Sequence, residues 1–413
     1  RTFCREHAVC AAGSKVDTDP SDIANRVCSD CLAGTFTSGS NMAACVACPS
    51  GKYQLVTGQP LCDPCTAGKH QDTMGASSCD ECPAGAFSGA SATECVQCSG
   101  GQFAASAGQS QCSGCAPGKH TLLALGSVRC TNCTVGRSSG SGAAACAACA
   151  SGAYQDQTGS TACVLCAAGT YQPDTAQTSC TQCAIGKKQS AAGSTYCDAC
   201  DAGRHQPTPG STTCADCSVG KYSGAGAGAC QQCEGGKITT TQAQPECDAC
   251  EAGRHSELAS GAARCMNCTA GRFSLAAAAQ CSPCASGRFE AGNGSISCDA
   301  CRLGSYQSAS ESHSCVMCAA GKKQSHRAMT YCDACAAGEA QVEAGQSNCT
   351  QCPNSTYSGA AQATCTTCPQ GQHSGVGAAA CNDCAAGLFG SADGTCTDAC
   401  GAGKYSTAGA ADC

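Results

Sequence analysis

Large side chains in this chain recur at one fixed address. A ring stands five residues after the second cysteine of a C-x2-C pair at Phe36, Tyr53, Phe87, Phe103, Tyr154, Tyr171 and Tyr222. The same holds at Phe273, Phe289, Tyr306, Tyr357, Phe389 and Tyr405, and histidine takes the place at His70, His120, His205, His255 and His373. A glycine stands two residues before each ring except Tyr357, and a run of Ser, Gly, Ala and Gln follows it to the next cysteine pair. That pattern predicts two short strands joined by a small polar turn, with the ring lying over the neighbouring disulfide as a miniature core. Helices of ordinary length have no room between the cysteines.

Twenty-two C-x2-C pairs step along the chain by 16 to 18 residues, beginning at Cys28 and ending with the pair at Cys381. The predicted fold class is therefore a small disulfide-rich repeat protein. It is expected to form an elongated solenoid or rod of about 23 hairpin-like units of about 17 residues, with little regular secondary structure. Residues 1–27 read as an irregular cysteine-containing segment, 28–395 as the tandem array and 396–413 as a C-x3-C variant. Cys413 falls where a further pair would open, which reads as an array cut short. Glycine follows the second cysteine by three residues in every unit except one, where Ser355 stands. So regular a glycine implies a positive φ or a very close backbone approach.

A second, longer period spans eight units, or 135 residues. Gly186-Lys187-Lys188-Gln189-Ser190 returns as Gly321-Lys322-Lys323-Gln324-Ser325. His70 maps to His205, His120 to His255, and Asn132-Cys133-Thr134 to Asn267-Cys268-Thr269. Recent duplication explains this, and so does a structural period that turns equivalent surfaces the same way.

Composition explains why cysteine carries the pattern. Only 35 of 413 residues are Leu, Ile, Val or Phe, while 49 are Cys and 51 are Gly. Apolar burial contributes about 25 cal/mol per Å², so no large core is available, and without cross-links the chain would read as disordered. Cysteine at this density points to an oxidising, extracellular or cell-surface location for a secreted chain. The net charge of −7 is weak and the basic residues are dispersed, so nothing suggests nucleic acid. No apolar stretch is long enough to span a membrane.

Three disulfide schemes fit the spacing. One joins the second cysteine of a pair to the first of the next. Another cross-links two units first-to-first and second-to-second, and a third interleaves first with second. The cross-linked scheme would leave an odd/even alternation, yet Cys-Asp-Ala-Cys begins at both Cys197 and Cys247. The local scheme pairs Cys31–Cys45, Cys48–Cys62, Cys65–Cys79 and Cys82–Cys95, then Cys183–Cys197, Cys200–Cys214 and Cys318–Cys332. It also closes the C-terminus as Cys384–Cys396 and Cys400–Cys413, and it is the expected one. One of Cys4, Cys10 and Cys28 is then left without a partner in the chain.

The pattern C-x2-C-x-A-G-x-[YF]-[SQ], seen in Cys82-Pro83-Ala84-Gly85-Ala86-Phe87-Ser88, resembles the ephrin-receptor-like cysteine-rich repeats. These stand close to the growth-factor-receptor and tumour-necrosis-factor-receptor modules. The resemblance runs from about Cys28 to Cys413 and implies extracellular disulfide ladders used as stalks, spacers, ligand-binding surfaces or fibre subunits.

Other chemistry is sparse. C-x2-C pairs also serve zinc, but here they run on without grouping in fours, so disulfides are expected and no metal or other cofactor. The ring-slot histidines read as packing rings, with metal binding between stacked units as the alternative. The Lys or Arg before that slot reads as a solvated face, with a polyanion-binding stripe as the alternative. Sequons mark Asn132, Asn267, Asn293, Asn348 and Asn354 as candidates for N-glycosylation. Three of these carry cysteine in the middle position, so Asn293 and Asn354 are the better acceptors. No catalytic set stands out and no enzyme is expected. The expected role is an extracellular structural protein, a glycosylated rod that forms or decorates a fibre, filament, stalk or coat. Its partners would be itself or other extracellular fibre or coat proteins. The alternative is a receptor or adhesion ectodomain that binds a protein ligand.

Overall fold

A computed structural model describes residues 7–21, 23–389, 395–396 and 398–413. The chain divides into two units, Arg1–Ala199 with Thr208–Thr213, and Cys200–Pro207 with Cys214–Cys413. The described residues form forty-six short strands, paired as 23 two-stranded antiparallel sheets, and no helix.

In the first unit the opening hairpin joins β1 (Ser14–Thr18) to β2 (Val27–Asp30), with a register shift between Val16 and Thr18. The next joins β3 (Thr35–Phe36) to β4 (Val46–Ala47), pairing Thr35 with Ala47 and Phe36 with Val46. The two residues between the cysteines of a pair thus are the second strand. Residues three apart in an extended strand face opposite sides, so Cys45 bonds back to Cys31 while Cys48 bonds forward to Cys62. An isolated hairpin this short is unstable in water. Here a disulfide closes each one across a Cα separation near 5.7 Å.

Neighbouring rungs are stitched by a repeated set of backbone bonds. The Gly34 N–H donates to Gln54 O at 2.8 Å, the Cys48 N–H to Gly34 O at 2.9 Å, and the Gly58 N–H to Cys31 O at 2.9 Å. The second unit is built the same way. There the Gly287 N–H donates to Gln307 O at 2.7 Å, the Cys301 N–H to Gly287 O at 3.0 Å, and the Ala328 N–H to Cys301 O at 3.0 Å.

The N-terminal segment differs from the irregular piece its spacing suggests. Cys10 bonds Cys28, and from residue 7 the chain makes one more rung. The Gly13 N–H donates to Thr37 O and Gly13 O accepts from the Cys31 N–H. Gly13 follows Cys10 by three residues, a sign hidden by an 18-residue loop where the others have 12 to 15. Cys4 lies outside the described residues.

The interior also differs from a stack of rings. Phe36, Tyr53, Tyr154 and Tyr306 are only half-buried. The buried column is made of the second cysteines, such as Cys48 and Cys183 at 0% exposure, and of the polar residue after the ring. Gln324 is fully buried, and Gln54, Gln172, Ser88 and Ser223 are nearly so. One apolar cluster among the described residues joins Ile238, Cys250 and Ala262.

Candidate functional site

The recurring glycine meets both conditions its regularity implies. Gly152 has φ +81°, and a Cβ there would lie 2.1 Å from the carbonyl oxygen of Gly193, two rungs on. Gly68 has φ +91° and the same 2.1 Å approach to Gly108 O. Ser355, the one substitute, also takes a positive φ of 68°.

The buried polar residue bridges its own loop. Gln172 donates from Nε2 to Ser179 O at 2.8 Å and accepts at Oε1 from the Asp174 N–H at 3.1 Å. Gln54, Gln155, Gln307 and Gln324 make the same two bonds. These glutamines sit in loops whose cysteines are 14 residues apart. Where the separation is 13, serine takes the place. Ser88 and Ser223 reach back to the preceding hairpin, donating to Lys69 O at 2.9 Å and Arg204 O at 2.8 Å. The bridging glutamines thus fall in 14-residue loops and the back-reaching serines in 13-residue ones, while Thr37 and Thr239 also stand in 14-residue loops and Thr121 and Ser256 in 15-residue loops.

The structure pairs the candidate cysteines as Cys31–Cys45, Cys48–Cys62, Cys65–Cys79 and Cys82–Cys95. It continues with Cys183–Cys197, Cys200–Cys214 and Cys318–Cys332, and ends with Cys384–Cys396 and Cys400–Cys413. Asn132, Asn267, Asn293, Asn348 and Asn354 are all exposed. Two carry contacts at Oδ1: Asn267 accepts from Arg254 Nε at 2.9 Å and Asn293 from the Ala270 N–H at 3.0 Å.

Basic residues before the ring slot are mostly engaged locally. Lys69 pairs across its hairpin with Glu81 at 3.4 Å, and Arg204 with Asp216 at 2.8 Å. Arg272 and Arg288 donate to the carbonyls of Cys281 and Cys298, each at 3.0 Å. In the Cys250–Cys265 loop, Arg264 Nε donates to Glu257 Oε2 at 2.9 Å. That hydrogen bond holds the Glu257 carboxyl below its usual range and raises the Arg264 guanidinium. Asp17 is likewise lowered, first by a hydrogen bond from Ser29 and then by Lys15.

The histidines do more than fill a ring slot. Nδ1 lies 3.2 Å from Cys95 Sγ at His70, 3.1 Å from Cys146 Sγ at His120, 3.0 Å from Cys230 Sγ at His205 and 3.1 Å from Cys281 Sγ at His255. Each touches the disulfide of the following loop. The 135-residue repeat is kept in local detail: the bridge His70↔Ala92 recurs as His205↔Ala227, and Ser99↔Leu125 as Glu234↔Ser260. An open hollow of about 570 Å³ lies beside His255, Leu258, Met266, Asn267, Arg272 and Cys281. No helix among the described residues is long and apolar enough to cross a membrane.

Residues 136–174 and 157–196 match the sequence profile described as tyrosine-protein kinase ephrin type A/B receptor-like. These are ephrin-receptor-like cysteine-rich repeats, and the same disulfide-closed rung recurs through the rest of each unit. No curated protein sequence matches the chain. So many disulfides on a repeat of this kind fit an extracellular or cell-surface protein.

Proposed function

We propose that the chain is an extracellular structural protein, a glycosylated disulfide rod that self-assembles into, or decorates, a surface fibre, filament, stalk or coat. One observation carries the reading: within each unit, the described rungs are bonded to the next one or two rungs and closed by their own disulfides. Such an array grows by addition of identical steps and presents the same groups again and again. In this reading it catalyses no reaction and carries covalent glycans but no cofactor. Negative-stain imaging of the secreted chain tests it. Extended particles that associate side by side are expected, and compact particles that stay single at high concentration would sink the idea.

A second reading, an adhesion or receptor ectodomain with a protein ligand, draws on one departure from the repeat. Leu122, Leu123 and Leu125 stand 66%, 59% and 58% exposed in the Cys115–Cys130 loop. The positions 135 residues on are Glu257, Leu258 and Ser260, so two of the three leucines are not kept in the long repeat. Replacing all three leucines by serine distinguishes the two. Loss of cell or ligand attachment with particle length unchanged supports the ectodomain, and unchanged attachment removes it.

A further inference from the structure

The histidine contacts follow loop length. All five ring-slot histidines stand before a disulfide whose cysteines are 13 residues apart, or 12 for the last: Cys82–Cys95, Cys133–Cys146, Cys217–Cys230, Cys268–Cys281 and Cys384–Cys396. None stands before a 14- or 15-residue loop. Tyr357 stands before a loop of the same 13-residue separation, Cys368–Cys381, and makes the same parallel bridge, Tyr357↔Ala378. The short loop therefore does not require histidine for its geometry.

At each of the five places the imidazole nitrogen and both cysteine sulfurs lie within 4.8 Å of one another. In each cluster the earlier cysteine of the bond (Cys82, Cys133, Cys217, Cys268 and Cys384) is buried and the histidine half-buried. At His373 the Nδ1 is itself buried with no hydrogen-bond partner among the described residues. We infer that these five clusters are latent sites for a thiophilic divalent cation such as zinc or cadmium, closed in the disulfide form and opened by reduction. The inference rests on local geometry and stands apart from the structural-fibre reading.

The chemistry balances in two steps. A small-molecule dithiol gives two electrons and two protons to the Cys217–Cys230 bond. It leaves as a cyclic disulfide, and the two cysteines become thiols. The cation then binds both sulfurs and His205 Nδ1, and two protons go to solvent. Two thiolates cancel the charge of the cation, so the partly buried site is neutral. Tetrahedral zinc with Zn–S of about 2.3 Å needs sulfurs about 3.8 Å apart, an opening that side-chain rotation supplies without moving the backbone. His205 Nδ1 also lies 3.2 Å from Ala215 O. In the oxidised form its proton is shared between that carbonyl and the sulfur, and on binding the proton sits on Nε2 instead. The fourth position is left to water or an outside ligand.

Because the cation binds only the opened form, it draws limiting reductant toward the histidine-flanked bonds. The test uses the full-length chain, limiting dithiothreitol and cadmium ion alone, followed by alkylation before and after chelation and mapping by mass spectrometry. Cysteines at the histidine-flanked bonds are expected to be opened, and protected by cadmium until chelation, at least about tenfold more than Cys368–Cys381. His205→Gln should bring Cys217–Cys230 down to the level of Cys368–Cys381 and leave the other clusters unchanged. Tyr357→His should raise Cys368–Cys381 to the level of the five. Peptide mapping before reduction shows whether each variant keeps its disulfides. Equal protection at histidine and tyrosine sites overturns the inference, as does no response to either substitution. A partly reduced chain that retains no cadmium does the same.

Discussion

Gly152→Ala separates two reasons for the recurring glycine, φ and space. The new methyl group would need to sit about 3.3 Å from Gly193 O rather than 2.1 Å, so the two rungs must part by about an ångström. The positive φ costs about 1–2 kcal/mol for a residue with a Cβ. Parting the rungs also weakens the bond from the Gly152 N–H to Gln172 O, 2.7 Å, and that from the Cys166 N–H to Gly152 O, 2.9 Å. Each buried bond left unmade costs about 1–3 kcal/mol, so the sum is about 3–8 kcal/mol. Two neighbours calibrate this figure. Gly142 has φ +69° with open space at its Cβ, and Gly140 has neither a positive φ nor a neighbour. Ala176, Ala243 and Ala277 already occupy the turn place that corresponds to Gly142, at φ 59–60°, so the φ term alone is tolerated by the fold. Hydrogen exchange of the intact oxidised protein reads the outcome. Gly152→Ala should expose the amides of 149–193 strongly, Gly142→Ala weakly and Gly140→Ala not at all. Equal exchange in Gly152→Ala and Gly142→Ala would show that the close approach to Gly193 O is not what requires glycine.

Gln172→Leu should leave Ser179 O and the Asp174 N–H without their partner, costing about 2 kcal/mol, seen as faster exchange confined to that loop. Opening one ring by Cys183→Ser with Cys197→Ser should cost about 3 kcal/mol on the chain-entropy account for a loop of this size, read from the denaturant midpoint of protease resistance. Glu257 has a folded pKa below its unfolded one, so its contribution is present above the unfolded value, 4.5, and is lost as pH falls through the folded value. Proteolysis within the Cys250–Cys265 loop should therefore rise as pH falls below that unfolded value, and Glu257→Gln should abolish that pH dependence. When the chain is expressed through a secretory pathway, Asn293 and Asn354 should carry glycan more fully than Asn132, Asn267 and Asn348, whose middle residue must close a disulfide. Enzymatic deglycosylation with isotope-labelled water and mass spectrometry measures this.

Much of the rung was legible because spacing and backbone chemistry act locally. Gly at three residues past the cysteine announces a positive φ, and Gly34, Gly68 and Gly152 have it. Short strands beside C-x2-C pairs follow from the polar turn between them. Other features depend on which rung touches which. The rings were expected to be the core, yet at Tyr53 and Tyr154 they are half-exposed, and Gln54 and Gln155 lie beneath. Gln and Ser in that place were visible in the repeat pattern. Their division by loop length was visible too, but it has meaning only once the amides of the loop are seen to point inward.

Sequence alone determined that this chain is a ladder of small disulfide-closed hairpins, since a chain so poor in large apolar residues has no other means of offsetting its entropy. Three cysteine pairings fitted the spacing, and the missing odd/even alternation and the closed C-terminus favoured the local one. The tertiary structure supplies its physical reason, because the strand register places Thr35 opposite Ala47 and so brings Cys31 to Cys45. Only the tertiary structure decided that His70, His120, His205 and His255 meet a sulfur 25 or 26 residues away, a contact set by the stacking of successive rungs and absent from any single repeat.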